Sequence, residues 1–430
     1  MRSIRKCGAL AIAATVALTA ACSSSGGSKS NDQGGGGAVT LTWWHNGSSE
    51  PGLSTWKQVA DAYHAAHPNV SFKINPMQNE AFKTKIPVAL QGGDPPDIYQ
   101  QWGSGAQATQ VKSGKLMDLT QAVAPWIGQL GNAAKGWQTD GKQYGIPYDL
   151  HTVGFWYRTD LFQQAGITTP PATMDDLNAD VAKLKAAGIV PISIGSKDKW
   201  PDAFWWEYLA IRECSTDTVV NAINNEKTDD PCFVKAGQDL KAFLDTKPFN
   251  TGFLGTPAQQ GAGSSAGLVG NAKAAMELQG DWELPTIIPL TKDKQFASKL
   301  SWFAFPSVNG GQGSPGATLG GGDGFSCTKK AGPSCADFLK YIASAEVQTK
   351  LVNATVATLP ANPAANATVK DPTLQLVLKA SQSSPFVQTY FDQALPTAVG
   401  NALNDAIANF FAGQGSPEDV AAAVGKAAQN

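Results

Sequence analysis

Flat indole rings, carboxylates and side-chain amides are the residue types here whose placement could do chemistry, and the chemistry they suit is the binding of a polyhydroxylated ring. Such a ring offers apolar C–H faces and a rim of hydroxyls. A site for it needs aromatic planes to stack on and polar groups that accept and donate hydrogen bonds. The chain has twelve tryptophans. Trp43 and Trp44 adjoin on an expected strand and must point to opposite faces, so Trp44, last before the turn, is the cleft candidate while Trp43 packs inward. Trp102 directly follows a second strand, and Trp282 lies in a loop after Gly280 and Asp281, both positions where binding residues concentrate. Trp205 and Trp206 share the helical segment PDAFWWEYLAIREC. Consecutive helix positions lie about 100° apart, so one of the pair can face a cleft, Trp206 being favoured. Trp56, Trp126, Trp137, Trp156 and Trp302 are assigned to core or surface. The polar candidates at strand and loop ends are Asn46, Glu50, Asn79, Gln101, Asp149, His151, Asp281 and Asp323. Gly320, Gly321 and Gly322 could let backbone approach a ligand closely.

Catalysis is the competing chemistry. Glu50, Asp149, Asp281 and Glu283 supply atoms for a glycosidase if two of them stand about 5–9 Å apart across a bond. The four histidines, His45, His64, His67 and His151, form no H-E-x-x-H, and GGGDG at 320–324 is not followed by the G-K-[ST] of a phosphate-binding loop. No catalytic constellation, metal site or cofactor is expected. No basic tract recommends nucleic acid.

The elements that must position these residues alternate between strand and helix. VTLTWW (39–44) reads as a strand, and Leu53, Trp56, Val59, Ala60 and Tyr63 recur on one face of the following helix. Ser48 or Ser49 could cap that helix, with Pro51 in its first turn. NVSFKI (69–74) is a strand, NEAFKTKIPVALQ a helix, PDIYQQ a strand and GAQATQVKSG a helix end. Parallel pairing of these strands puts Trp44, His45, Asn46, Gln101 and Trp102 along one rim.

The chain opens with Arg2, Arg5 and Lys6, continues with small or apolar residues from 8 to 21, and reaches Cys22. Residues 1–21 read as a signal peptide too short to span a bilayer comfortably. The stretch resembles a bacterial lipoprotein signal, which implies that Cys22 is acylated. The Ser/Gly-rich 22–38 segment would then tether the folded part with ~20 Å reach near a membrane but outside it. Loss of the signal moves the formal net charge from −2 to −5. No later apolar run approaches ~18 residues, so no spanning helix is expected, and about 400 remaining residues predict two domains. Of the six cysteines, Cys214, Cys232, Cys327 and Cys335 remain after Cys7 and Cys22 are set aside. Neither local pair has C-x-x-C spacing, so disulfides are preferred to zinc. Of three possible pairings, Cys214 with Cys232 and Cys327 with Cys335, which closes two short loops, is expected.

Seven segments then occur in the order found in a known family: LTWWHN, YHAAHPNV, ALQGGDPPDIYQ, YGIPYDLHTVGFWYRTDLFQQAGITTPPATMDDL, AAMELQGDWELP, LGGGDGFSC and SAEVQTKLVNATVATLP. Over residues 39–430 the chain resembles the extracellular solute-binding proteins of carbohydrate ABC importers (family 1), with Arg158 where the family usually has Asn and Met174 where it has Trp. The resemblance implies an α/β, periplasmic-binding-protein-like clamp: two α/β domains around a cleft, joined by three hinge crossings near 149–152, 317–323 and 359–363. The lobes would be 39–149 plus 320–359 and 150–319 plus 360–430. It makes Trp282, in the family's Gly-x-Trp loop, the strongest stacking candidate, and places Asp149 and His151 where the first crossing lines the cleft. It further implies a monomeric receptor without enzymatic activity, held by its lipid on the extracellular face of the cell membrane; the Ser/Gly tether and alanine-rich composition would suit a Gram-positive, actinobacterial surface by association. Its ligand would be an oligosaccharide, xylobiose or a xylo-oligosaccharide by overall similarity, passed to the membrane permease subunits. A secreted glycoside hydrolase and a polysaccharide-binding surface adhesin are the alternatives.

Overall fold

The computed structural model describes residues 37–429. The expected signal (1–21), Cys22 and nearly all of the 22–38 tether lie outside the described residues. Among the described residues, no helix is long and apolar enough to cross a membrane.

The first half of the chain builds the rim. β1 (Val39–His45) buries Leu41, Trp43 and His45 and leaves Trp44 half-buried on the opposite face, as the two-residue period of a strand requires. α1 (Gly52–Ala66), β2 (Val70–Pro76), α2 (Asn79–Gly92), β3 (Ile98–Gln101) and α3 (Ser104–Val111) follow in the expected order. β1 pairs in parallel with both β2 and β3, so their carboxyl ends share one edge. Four of the five expected apolar positions of α1 are buried, whereas Leu53 is 41% exposed. Neither Ser48 nor Ser49 caps that helix. Pro51 stands at the capping position, and the Glu50 carboxylate accepts from the Ser54 amide (3.2 Å) and hydroxyl (2.6 Å).

The remaining strands are β4 (Gln138–Thr139) and β5 (Lys142–Gln143), which form a hairpin, then β6 (Ile146–Thr152), β7 (Gly154–Arg158), β8 (Met276–Gln279), β9 (Leu300–Phe303), β10 (Thr318–Cys327), β11 (Leu359–Pro360) and β12 (Val387–Thr389). Seven strands make one sheet in the order β11-β6-β10-β3-β1-β2, with β12 beside the start of β10; β8-β7-β9 make a second. The segments expected to be crossings lie side by side. Gly321 is opposite His151, Asp323 opposite Asp149, and Pro360 opposite Asp149 from the other side. Gly322 sits within this ladder, where a Cβ would come 2.6 Å from the Asp149 carbonyl oxygen and 2.7 Å from the Trp137 ring. Its lack of a side chain serves sheet packing, and it does not line the cleft.

Trp43 is the hub of one core, edge-on to Trp56, Phe325 and Phe338 at centroid distances of 5.4, 5.2 and 5.2 Å. The other core surrounds the helix Trp200–Glu213, all of whose residues are buried. This corrects the expectation for Trp205 and Trp206. Trp205 stacks on Phe243 (4.8 Å) and Trp206 on Phe233 (5.9 Å), and neither reaches the cleft, because helices cover the face on which each projects. Cys214 is joined to Cys232, tying the end of this helix to the start of the helix Pro231–Asp245, and Cys327 is joined to Cys335. Arg158 is buried against Asp160 and Asp293, away from the cleft. Trp205→Ala is expected to lower unfolding free energy by about 3–5 kcal/mol in denaturant titration while leaving the ligand affinity of the folded fraction unchanged.

Candidate functional site

The carboxyl edge of β1 and β3 forms one side of a cleft of about 480 Å³, a size suited to a small organic ligand. Asn46 and Glu50 after β1, Asn79 on α2 and Trp102 after β3 line it. The Asn46 amide donates to the Asn79 side-chain oxygen at 3.3 Å. The opposite side is aromatic. Trp282 stands with its ring centroid 4.9 Å from the His151 ring, nearly perpendicular to it at 85°, 6.2 Å from Trp200, 6.4 Å from Phe204 and 6.1 Å from Tyr390. Its indole N–H donates to Gln279 at 3.1 Å, leaving the ring face as its free surface. Gly280 permits this arrangement, since a Cβ there would fall 2.3 Å from the Trp282 ring.

Beneath the aromatics lies a polar hub. His151 presents Nδ1 to Asp281 at 3.2 Å and Nε2 to Asp323 at 3.4 Å. Asp281 also accepts from the Thr152 amide (2.8 Å) and the Thr358 hydroxyl, while Asp149 accepts from the amides of Thr358 (3.0 Å) and Leu359 (2.8 Å). Burial alone would push the His151 pKa down, but the Asp281 and Asp149 carboxylates overcome it and hold the imidazole well above its usual range, which favours its charged form. Burial raises Asp149 well above the usual carboxylate range, against the pull of His151. Burial, and then the nearby carboxylates, raise the Tyr148 and Tyr390 phenols well above their normal values, so both keep their protons. Tyr148 donates to Asp323 at 3.4 Å; the buried Tyr390 hydroxyl, on the cleft wall, has no hydrogen-bond partner among the described residues.

Seven of the expected ligand residues therefore line the cleft: Asn46, Glu50, Asn79, Trp102, His151, Trp282 and Asp323. The other seven do not. Asp149 and Asp281 are buried beneath it, turned inward by the amide and hydroxyl donors of 358–359 and 152. Trp44 packs on the satellite cluster under α2 with the Lys85 ammonium 4.9 Å from its ring centroid, because strand alternation puts it on the face that α2 covers. Gln101 is fully buried and braces the turn after β3, accepting from the Trp102 (2.7 Å) and Gly103 (3.1 Å) amides. Trp205, Trp206 and Gly322 belong to the interior, as described. Trp200 and Phe204, four apart on one helix, take the cleft position expected of their neighbours, and that spacing was the available signal. Lys83, Tyr390 and Asp392 carry no motif that marked them.

Asp149, His151 and Asp281 are a group of described residues whose donor atoms converge within 4.8 Å. Their oxygens and Nδ1 are already engaged in the bonds above, so the cluster reads as a structural network and not as a metal centre. Of the four carboxylates suited to glycoside hydrolysis, Asp149, Asp281 and Glu283 are at most 1% exposed, and only Glu50 faces the cleft. A G-x-S-x-G string, the pattern of a hydrolase nucleophile elbow, occurs at 263–267. Its Ser265 is fully buried, with its hydroxyl donating to the Ala258 carbonyl at 3.1 Å, which excludes it as an exposed nucleophile.

Residues 46–349 match the family model described as "Bacterial extracellular solute-binding protein". The chain belongs to this family. This solute-binding protein is 25% identical over 236 residues to an uncharacterised ABC transporter extracellular-binding protein of Pyrococcus horikoshii, covering 52% of this chain and 51% of that one. It is 30% identical over 132 residues to a lactose-binding protein of Rhizobium radiobacter, covering 30% and 31%. The alignments thus span about half, or less, of the length of these curated relatives. Among solved structures, one from work on xylan utilisation by Caldanaerobius polysaccharolyticus superposes with TM-score 0.82 at 24% identity over 90% of this chain and 99% of that one. A chitin oligosaccharide binding protein superposes with TM-score 0.80 at 22% identity over 91% and 98%. The fold of this solute-binding protein is accordingly the two-domain α/β fold of periplasmic binding proteins.

At the rim, burial pushes the His45 pKa down to about 4 from 6.5, and its Nδ1 accepts from the Gly47 amide at 3.2 Å. A depressed histidine pKa means that the unfolded chain binds the proton more readily. The stability this contributes is fully present above pH 6.5 and is lost as pH falls toward 4, by about 3 kcal/mol. His45→Asn keeps an acceptor for Gly47 and cannot titrate, so the difference between variant and parent unfolding free energies should change across pH 4–6.5 and stay flat above it.

Proposed function

We propose that the protein is the oligosaccharide receptor of an ABC importer, anchored at the extracellular membrane face through acylated Cys22, and that it binds its ligand without chemical conversion. The observation that carries this reading is the pairing of aromatic faces on Trp102, Trp200, Phe204 and Trp282 with a rim of amides, carboxylates and the unpartnered Tyr390 hydroxyl in one cleft. Apolar faces and bidirectional hydrogen-bonding groups are what a sugar requires. Family membership, and the sugar-related names of several relatives, agree with it. Xylobiose and short xylo-oligosaccharides are the proposed cargo, supported by the likeness to the structure from the xylan-utilisation study. In this reading, lobes 39–149 plus 320–359 and 150–319 plus 360–430 close on the sugar. A ligand that touches both lobes only when they are closed shifts the population toward that state, which the permease subunits would recognise.

The test is calorimetric titration of residues 38–430 with xylobiose, xylotriose, cellobiose, chitobiose and maltose, alongside an assay for released monosaccharide. Binding of one series without hydrolysis is expected; product formation would replace the receptor with a glycoside hydrolase. Trp282→Ala should weaken binding by ~1–3 kcal/mol with an unchanged thermal midpoint, and an unaltered dissociation constant would remove Trp282 from the site.

A further inference from the structure

α2 places Lys83 on the cleft wall, one turn after Glu80. The Lys83 ammonium lies 5.7 Å from the ring centroid of Trp102 and 5.7 Å from that of Trp200, within the range of attraction between a cation and an aromatic face. Both rings are held from behind. Phe82 packs edge-on to Trp102 at 5.7 Å, and the Trp102 amide is fixed by Gln101. Trp200 donates its indole N–H to Glu80 at 3.2 Å and packs against Phe204 at 5.4 Å. The ammonium is not held in this way. Among the described residues it has no carboxylate within 4.0 Å and no hydrogen bond, and nearby Glu80 is occupied by Trp200 and by the Asn79 amide at 2.7 Å. A cation on a flexible four-carbon stem thus stands between two fixed aromatic rings, where a ring with apolar faces would stack.

We propose that Lys83 sets the length of the oligosaccharide that the cleft accepts: its ammonium fills the stacking position between Trp102 and Trp200 that a further sugar ring would take. The proposal rests on the oligosaccharide-receptor reading above. A ring entering that position must displace the cation from two aromatic faces, which offsets the gain from its own stacking. A truncated side chain leaves both faces free.

The experiment compares the parent protein with Lys83→Ala, by calorimetry, against two-, three- and four-unit xylo-, cello- and malto-oligosaccharides. Lys83 is half-buried on a helix surface, and alanine favours helix, so an unchanged thermal midpoint is expected. The readout is the ratio of dissociation constants between successive chain lengths within each protein. In the variant, addition of the third or fourth unit should tighten binding at least tenfold more than it does in the parent. Equal length increments in the two proteins, with binding present in both, would overturn the role of Lys83 and leave the receptor reading standing. Absence of binding to every series in both proteins would overturn the receptor reading and this proposal with it.

Discussion

The imidazole of His151 is the point on which the site depends. It is nearly fully buried, yet carboxylates approach both of its nitrogens, one from the loop after β8 and one from β10, and a third on its own strand adds to the field. Burial of these acids together is tolerable because a cation sits among them, and because donors of residues 152 and 358–359 hold the oxygens of Asp281 and Asp149. The network joins β6, β10, the segment entering β11 and the Trp282 loop. It therefore fixes the Trp282 ring relative to β6, β10 and β11.

Around that hub, tryptophan serves two purposes that composition does not separate. Trp43, Trp156, Trp205 and Trp206 fill cores and bring large apolar area out of water, which gives the two sheets something rigid to pack on. Trp102, Trp200 and Trp282 turn one side to the cleft and pack the other against the cores, and residues with no cleft exposure of their own, such as Gln101, Gln279 and Glu80, brace them. The buried set makes the exposed set precise, since an aromatic platform is useful only where its support does not move.

Much of this was legible locally. The period of two in β1 separated Trp43 from Trp44, although Trp44 lies under α2 and not on the cleft; the parallel β1–β3 arrangement followed from strand and helix alternation, and Trp282 was marked by its loop position and by resemblance to the family's Gly-x-Trp loop. What failed was long-range. The helix Trp200–Glu213 is buried along its whole length, so it has no exposed polar face to reveal which aromatic turns toward the cleft, and Trp200 and Phe204 take the place expected of Trp206. The inward orientation of Asp149 and Asp281 depends on amide and hydroxyl donors contributed by residues 152, 358 and 359, some more than 200 positions away. Tyr390 reaches the cleft from the last tenth of the chain without any local sign.

The indole nitrogens of Trp200 and Trp282 are both committed to protein acceptors, Glu80 and Gln279. In the proposed reading these two rings would meet a ligand with their faces alone, which sense whether a sugar face is flat and apolar but form no directed hydrogen bond to a particular hydroxyl. For a sugar, as proposed, the direction of each hydroxyl would be read by the polar groups on the cleft wall, among them Asn46, Asn79, Glu50 and the Tyr390 hydroxyl. The cleft is in this sense divided between a side that measures flatness and a side that measures handedness, and evolution could retune the second without touching the first.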